Sequence, residues 1–255
     1  MIAIFFALSQ EVASLKSQVN ILKKIRYANA VFYQAEFCGF PVTLVQTGVG
    51  KNVSEAIHQL STYFRIQLMV SSGFAGSVNP KVGVGDLVIG RRVLSSSRGV
   101  SEEGIPIDSA LPCDASAVDI AVALSSAGAL KFHCGDILSV DKIIRQSSLK
   151  THIGNQTSAI AVDMESFAIA ERANAMGIPF IAVRTISDGV DEDMEVGEDL
   201  VTRGGNVNIS ATVRYLLNKP HHIPYLNRLR KQTKLATNNL SSFLPNFITQ
   251  IYNSL

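Results

Sequence analysis

No cysteine pair, no histidine cluster and no long apolar run marks this 255-residue sequence, and each absence removes a class of protein. The three cysteines, Cys38, Cys113 and Cys134, are odd in number, far apart and never spaced CxxC. A disulfide framework or zinc knuckle therefore has little support, and a reducing, cytoplasmic compartment is the natural home. The five histidines form no HExxH or other short ligand grouping, so no metal is expected. Gly48-Val49-Gly50-Lys51 lacks the Walker spacing and reads as a strand-to-helix turn, and no other cofactor is implied. No stretch is long enough to span a bilayer. The first apolar run, residues 1–8, lacks a basic leader and stops at Ser9-Gln10-Glu11, so it reads as a buried strand and not as a signal peptide. Acidic residues are missing from the tail: residues 200–255 carry seven basic side chains and no acidic one, while residues 1–199 carry 16 basic and 21 acidic. The tail is thus a different kind of surface from the body.

What is present is apolar. A chain of this length that is 47% hydrophobic can bury a large core and is most economically one domain. Short β-rich runs recur at 1–7, 31–37, 41–47, 67–72, 86–93, 132–140, 157–162 and 179–186, and helical patterns fall at 10–25, 52–64, 114–129, 163–176 and 206–218. This alternation predicts a three-layer α/β/α domain over residues 1–218, with a mixed, largely parallel central sheet. The runs 31–37 and 41–47, joined by Cys38-Gly39-Phe40, predict an antiparallel hairpin within it. Residues 219–255 read as a C-terminal helical extension in two pieces, with Pro245 placing a start or a kink. In the second piece Leu240, Phe243, Leu244, Phe247, Ile248 and Ile251 share one helix face.

In open α/β sheets ligands bind beyond the carboxyl ends of the strands. Four such ends carry suggestive residues: Glu11 after the first strand, Gly73-Phe74-Ala75-Gly76 after 67–72, Asp163-Met164-Glu165-Ser166 after 157–162, and Ser187-Asp188-Gly189 after 179–186. If these strands run parallel, the carboxylates of Glu11, Glu165 and Asp188 and a glycine turn share one rim. Cleavage of a C–N glycosidic bond needs that equipment, because the base leaves poorly as an anion while the sugar becomes oxocarbenium-like. One carboxyl can protonate the base, a second can hold the ribose hydroxyls, and a third can activate water.

The segments AVDMESFAIA (161–170) and VRTISDGV (183–190) resemble the two signature stretches of the nucleoside phosphorylase superfamily, closest to its methylthioadenosine/S-adenosylhomocysteine nucleosidase branch. The likeness extends to ALSQEVASL (7–15), QTGVGKNVSEA (46–56), SSGFAGSVNPKVGVGDLV (71–88) and ILSVDKII (137–144), and so covers most of residues 1–218. The VDMES form and the long tail also resemble the hopanoid-associated nucleosidase-like group, thought to act on adenosylhopane. The resemblance implies that Asp188 is the general acid toward purine N7, oriented by Ser187. It implies that Glu165 binds the ribose hydroxyls, that Met164 packs on the sugar and that Glu11 activates water. Ala75 and Gly76 would line the site through their backbone. Ile143 stands near the base where the nucleosidase branch has an aromatic residue, and Phe74 replaces a smaller polar one. The partners implied are a small purine nucleoside and a second copy of the chain in a homodimer, with no nucleic acid.

Each residue also has a plainer reading. Asp163 can cap a helix, Glu165 can be a first-turn acid, Met164 core filler, Glu11 a solvated helix residue and Asp188 a turn residue before Gly189. Arg184, inside a strand, reads as one half of an internal ion pair. The acidic run Asp191, Glu192, Asp193, Glu195, Glu198 and Asp199 reads as a solvated loop, with a lid as the alternative.

The nucleophile can be water or phosphate. A phosphate dianion needs arginines or a nest of N–H groups. Ser71 and Ser72 stand where the phosphorylase branch has an arginine, residues 8–15 contain none, and Glu11 would repel a dianion. Hydrolysis is favoured, a phosphorylase is the alternative, and a non-catalytic nucleoside-binding module is the reading from another class. Arg228, Arg230, Lys231 and Lys234 beside Leu226, Leu229 and Leu235 make the first tail helix a basic amphipathic segment able to lie on an anionic membrane. The competing expectation is that the tail's apolar face packs on the body or on a second subunit.

Overall fold

The computed structural model describes residues 1–27, 30–48, 53–96, 99–101, 103–194 and 222–254. The expected helix at 206–218 lies outside them. Strand β1 (Ile2–Phe6) is buried along its whole length, as a continuous apolar run between parallel neighbours must be. Those neighbours are β4 (Phe40–Gln46) and β5 (Leu68–Ser77), both parallel to it. Strand β3 (Ala30–Phe37) pairs antiparallel with β4 down to Phe37↔Phe40. Cys38 and Gly39 turn the hairpin with φ of 49° and 82°, the positive values that a two-residue turn of matching twist needs.

The helix expected over 10–25 is shorter. Helix α1 (Ser9–Lys16) ends early, and Asn20–Tyr27 forms a strand, β2, antiparallel to β3. Nearly every residue of β2 is exposed, so the edge strand has no buried face to impose a period of two, and its lysines suit an unpaired edge.

Beyond β5 the sheet curls. Strand β10 (Phe180–Asp188) lies parallel to β5 and antiparallel to β6 (Leu87–Ser96). Next come β8 (Phe132–Val140) and β9 (Ala159–Asp163), each parallel to its predecessor in that order. Strand β9 then meets β5 antiparallel at Gly76↔Val162 and Ser77↔Ala161, closing a ring of five strands. A short strand, β7 (Ser109–Pro112), pairs with β6. The fold is α/β with a mixed central sheet, as expected.

Helices cover the sheet: α2 (Val53–Tyr63), α3 (Ala115–Ala127), α4 (Ser147–Gln156), α5 (Ser166–Ala175) and α6 (Ile223–Ser254). Asp114 caps α3 by accepting the Ala117 N–H at 2.9 Å. The expected two tail pieces are one helix, α6, with Pro245 inside it. Proline leaves the carbonyl four residues back without its helical donor, and Gln18 Nε2 donates to that carbonyl, of Ser241, at 3.2 Å. The α6 stripe Leu240, Phe243, Leu244, Phe247, Ile248 and Ile251 joins the same core as β1 and β5. Near its end, Tyr252 stacks on Phe40 at 4.5 Å and accepts the Ile2 N–H at 3.0 Å.

Candidate active site

The expected glycine turn at 73–76 is strand instead. Strand β5 runs on to Ser77 because β10 pairs with it as far as Asp188↔Gly76, and β9 takes its other edge. The overshoot brings the carboxyl ends of β1, β5 and β10 to one rim. The end of β9 reaches the same place running antiparallel to β5.

Glu11 is the third residue of α1, and its carboxylate folds back across the helix start. Oε2 accepts the Leu8 N–H at 2.7 Å and Oε1 accepts the Phe74 N–H at 2.8 Å. The side chain is buried, and this burial pushes its pKa up; the charge of Arg184 and the backbone N–H groups of Leu8, Phe74 and Ala7 oppose the shift without cancelling it.

Arg184 is 1% exposed. One terminal nitrogen stands 2.7 Å from Asp163 Oδ2 and donates to Ser71 Oγ at 2.7 Å and Ser166 Oγ at 2.8 Å. Arg184 is therefore the internal ion pair that its place in a strand suggests. Asp163 Oδ1 accepts Ser139 Oγ at 2.5 Å and, more weakly, the Ser166 N–H at 3.4 Å at the start of α5. Glu165, just before α5, is buried, and Met164 beside it is half-buried.

Asp188 ends β10. Its Oδ1 accepts Ser187 Oγ at 2.8 Å, and Ser187 Oγ lies 3.4 Å from the Ala75 carbonyl. Its Oδ2 accepts Lys150 Nζ at 2.6 Å. A methyl group on Gly76 would stand 2.9 Å from the same Oδ2. The structure thus gathers Glu11, Ala75, Gly76, Ser187 and Asp188 along the end of β5, and Met164 and Glu165 follow the strand, β9, whose Val162 pairs with Gly76. Ile143 is 37% exposed, in the segment between β8 and α4.

Lys150 was not anticipated. It lies on α4, a helix with no clear apolar stripe, and it is 0% exposed. The acidic run is also more anchored than a solvated loop. Glu192 accepts the Gly189 N–H at 3.2 Å and Gln232 Nε2 of α6 at 2.7 Å, and Asp193 accepts the Ser147 N–H at 2.7 Å. Glu195, Glu198 and Asp199 lie outside the described residues.

The profile of the Phosphorylase superfamily matches residues 1–214. The chain belongs to that superfamily. Among curated relatives it is 29% identical to 5′-methylthioadenosine/S-adenosylhomocysteine nucleosidase of Buchnera aphidicola over 86% of this chain and 96% of that one. It is 31% identical to the enzyme of the same name from Staphylococcus saprophyticus, over 76% and 88%. The superfamily fold recurs in the solved nucleosidase of Neisseria meningitidis, in complex with methylthio-immucillin-A, at a TM-score of 0.75, 20% identity and 98% coverage of both chains. Futalosine hydrolase of Helicobacter pylori has the same TM-score at 18% identity, over 98% of this chain and 97% of that one.

Proposed function

We propose that the chain hydrolyses the N-glycosidic bond of a 5′-substituted adenosine and releases adenine. The observation that carries this reading is the placement of two buried carboxylates along one stretch of β5, Glu11 against Gly73 and Asp188 against Gly76. A pair held apart this way can serve the two ends of the breaking bond. Asp188, oriented by Ser187, protonates the base at N7, so that the electron pair of the C1′–N9 bond leaves with a neutral purine. Glu165 holds the ribose hydroxyls, Met164 packs on the sugar, and Glu11 takes a proton from the water that attacks C1′. The backbone of Ala75 and Gly76 lines the site, and Ile143 borders the base.

Water is favoured over phosphate by what Arg184 does. A phosphate site needs a free cation, and the charge of this guanidinium already faces the carboxylates of Asp163 and Glu11. Glu11 beside it would repel a dianion.

The enzyme works in the cytoplasm as a homodimer on a small nucleoside and not on nucleic acid. A peripheral contact with anionic membranes has one specific observation behind it. Arg228, Arg230, Lys231 and Lys234 are exposed on the first half of α6, while the apolar stripe of its second half is spent on the body. No described helix is long and apolar enough to cross a membrane. Such a contact would suit adenosylhopane, a membrane lipid bearing adenosine, as substrate. Salt-sensitive co-sedimentation with anionic vesicles, lost when those four residues become glutamine, is its test.

The reaction is tested by mass spectrometry of products from a panel of 5′-substituted adenosines, with and without phosphate. The expected products are adenine and a free 5′-substituted ribose in both buffers. A sugar 1-phosphate formed only with phosphate makes the chain a phosphorylase, and binding without any adenine makes it a nucleoside-binding module.

A further inference from the structure

Lys150 is a buried cation whose three ammonium hydrogens all have acceptors. Nζ stands 2.6 Å from Asp188 Oδ2, 2.9 Å from the Gly189 carbonyl and 2.9 Å from the Glu192 carbonyl. The two carbonyls belong to the segment that follows Asp188, and that segment is tied down in turn. Glu192 is gripped by Gln232 of α6 at 2.7 and 2.9 Å, Asp193 by the start of α4, and the Met194 N–H donates to the Arg145 carbonyl at 2.8 Å. Burying an ammonium is costly, and replacing a buried ion pair by packed apolar groups of equal volume is often neutral or stabilising. Stability alone does not account for a lysine here.

We propose that Lys150 is the positioning residue for Asp188. With Lys150 on Oδ2 and Ser187 on Oδ1, both oxygens of the carboxyl are anchored from opposite sides, and the plane of the group is set before a nucleoside arrives. The inference rests on Asp188 being the group that meets the base. It adds that the aim of that group is held by α4, and through Glu192 by the C-terminal helix. Preorganisation of this kind acts on the chemical step, so its loss falls on kcat more than on KM.

The test compares Lys150→Met, Asp188→Asn and the double variant on a 5′-substituted adenosine and on 4-nitrophenyl riboside, whose leaving group departs without protonation. Lys150→Met is expected to lower kcat on the adenosine by about 10²-fold with KM little changed. On the nitrophenyl riboside it should stay close to wild type. The double variant should be no slower than Asp188→Asn, because the two residues act through one group. Should Lys150→Met fail to fold, Lys150→Arg, which keeps the charge and changes the reach, must show the same split between leaving groups. Unchanged or raised kcat on the adenosine overturns the proposal, as does an equal loss on both substrates or a double variant slower than Asp188→Asn. Normal adenine release by Asp188→Asn would instead remove the reading of Asp188 itself. A slow Asp188→Asn beside a normal Lys150→Met removes only the role of Lys150.

Discussion

A methyl group built on Gly73 would stand 2.5 Å from Oε1 of Glu11, so the strand passes this carboxylate at a distance that only glycine permits. The same methyl group would lie 2.7 Å from a terminal nitrogen of Arg184. Both contacts would press the methyl group on buried charged side chains with little room to retreat, and the φ of 148° at Gly73 adds strain for any other residue.

Gly73→Ala should therefore displace Glu11 and lower adenine release by about 10²-fold, the scale of a misplacement near 1 Å. It should also cost more than about 1 kcal/mol in denaturant unfolding. Gly39→Ala is the control, because its φ is 82° and nothing lies within 4 Å. That variant should lose roughly 1–2 kcal/mol from the backbone alone and keep full activity. Equal loss of activity in the two variants would show that the approach to Glu11 is unimportant.

Asp188→Asn keeps the shape of the side chain and removes its transferable proton. Turnover should fall by at least about 10²-fold. Glu11→Gln should abolish hydrolysis yet leave nucleoside binding measurable by calorimetry. If that variant instead turned over by phosphorolysis, the assignment of water as nucleophile would be wrong.

The acid limb of the pH profile should belong to Glu11. Its pKa is raised, chiefly by burial, and water activation needs the ionised form. The rate of adenine release should therefore fall with decreasing pH at a value above the ordinary carboxylate pKa of about 4.3. The stability linkage has the opposite sense. A folded pKa above the unfolded one contributes stability that is complete below the unfolded value and is lost as pH rises through the folded value. In the window between the two, unfolding free energy should decline with rising pH while kcat/KM climbs. A limb at or below the ordinary value counts against Glu11.

Removal of residues 219–255 tests whether residues 1–218 form a unit by themselves. The deletion strips Leu240, Phe243, Leu244, Phe247, Ile248 and Ile251 from the main core, each worth about 1.5–3 kcal/mol of burial. The shortened chain is expected to be insoluble or to lack a cooperative melting transition. A soluble truncated chain that still releases adenine would establish 1–218 as a complete catalytic domain.

The parts of the fold that could be read in advance are those where burial writes a pattern into the residues. Strand β1 is IAIFF because both its faces are covered, and the helical pattern over 114–129 becomes α3. Strand β2 carries no such pattern, since its faces are exposed. Helix α4 is similarly mute: its buried residues are Lys150 and Ile153, and a lysine reads as surface until its three acceptors are known. Gly73 and Gly76 read as a turn because glycine is the usual turn residue. In the folded chain they are the places where β5 makes room for Glu11 and Asp188.

Which residues could do chemistry is legible in the sequence, because motif blocks and most strand and helix periods are local properties. Their company is set by the folded chain. Arg184 belongs to Asp163, Asp188 belongs to Lys150, and the tail closes over β1 and the hairpin instead of standing apart. Those partners lie 21, 38 and up to 250 residues apart in the chain, and what joins them is the cost of burying a charge or a polar group unpaired, which is settled only when the sheet has closed.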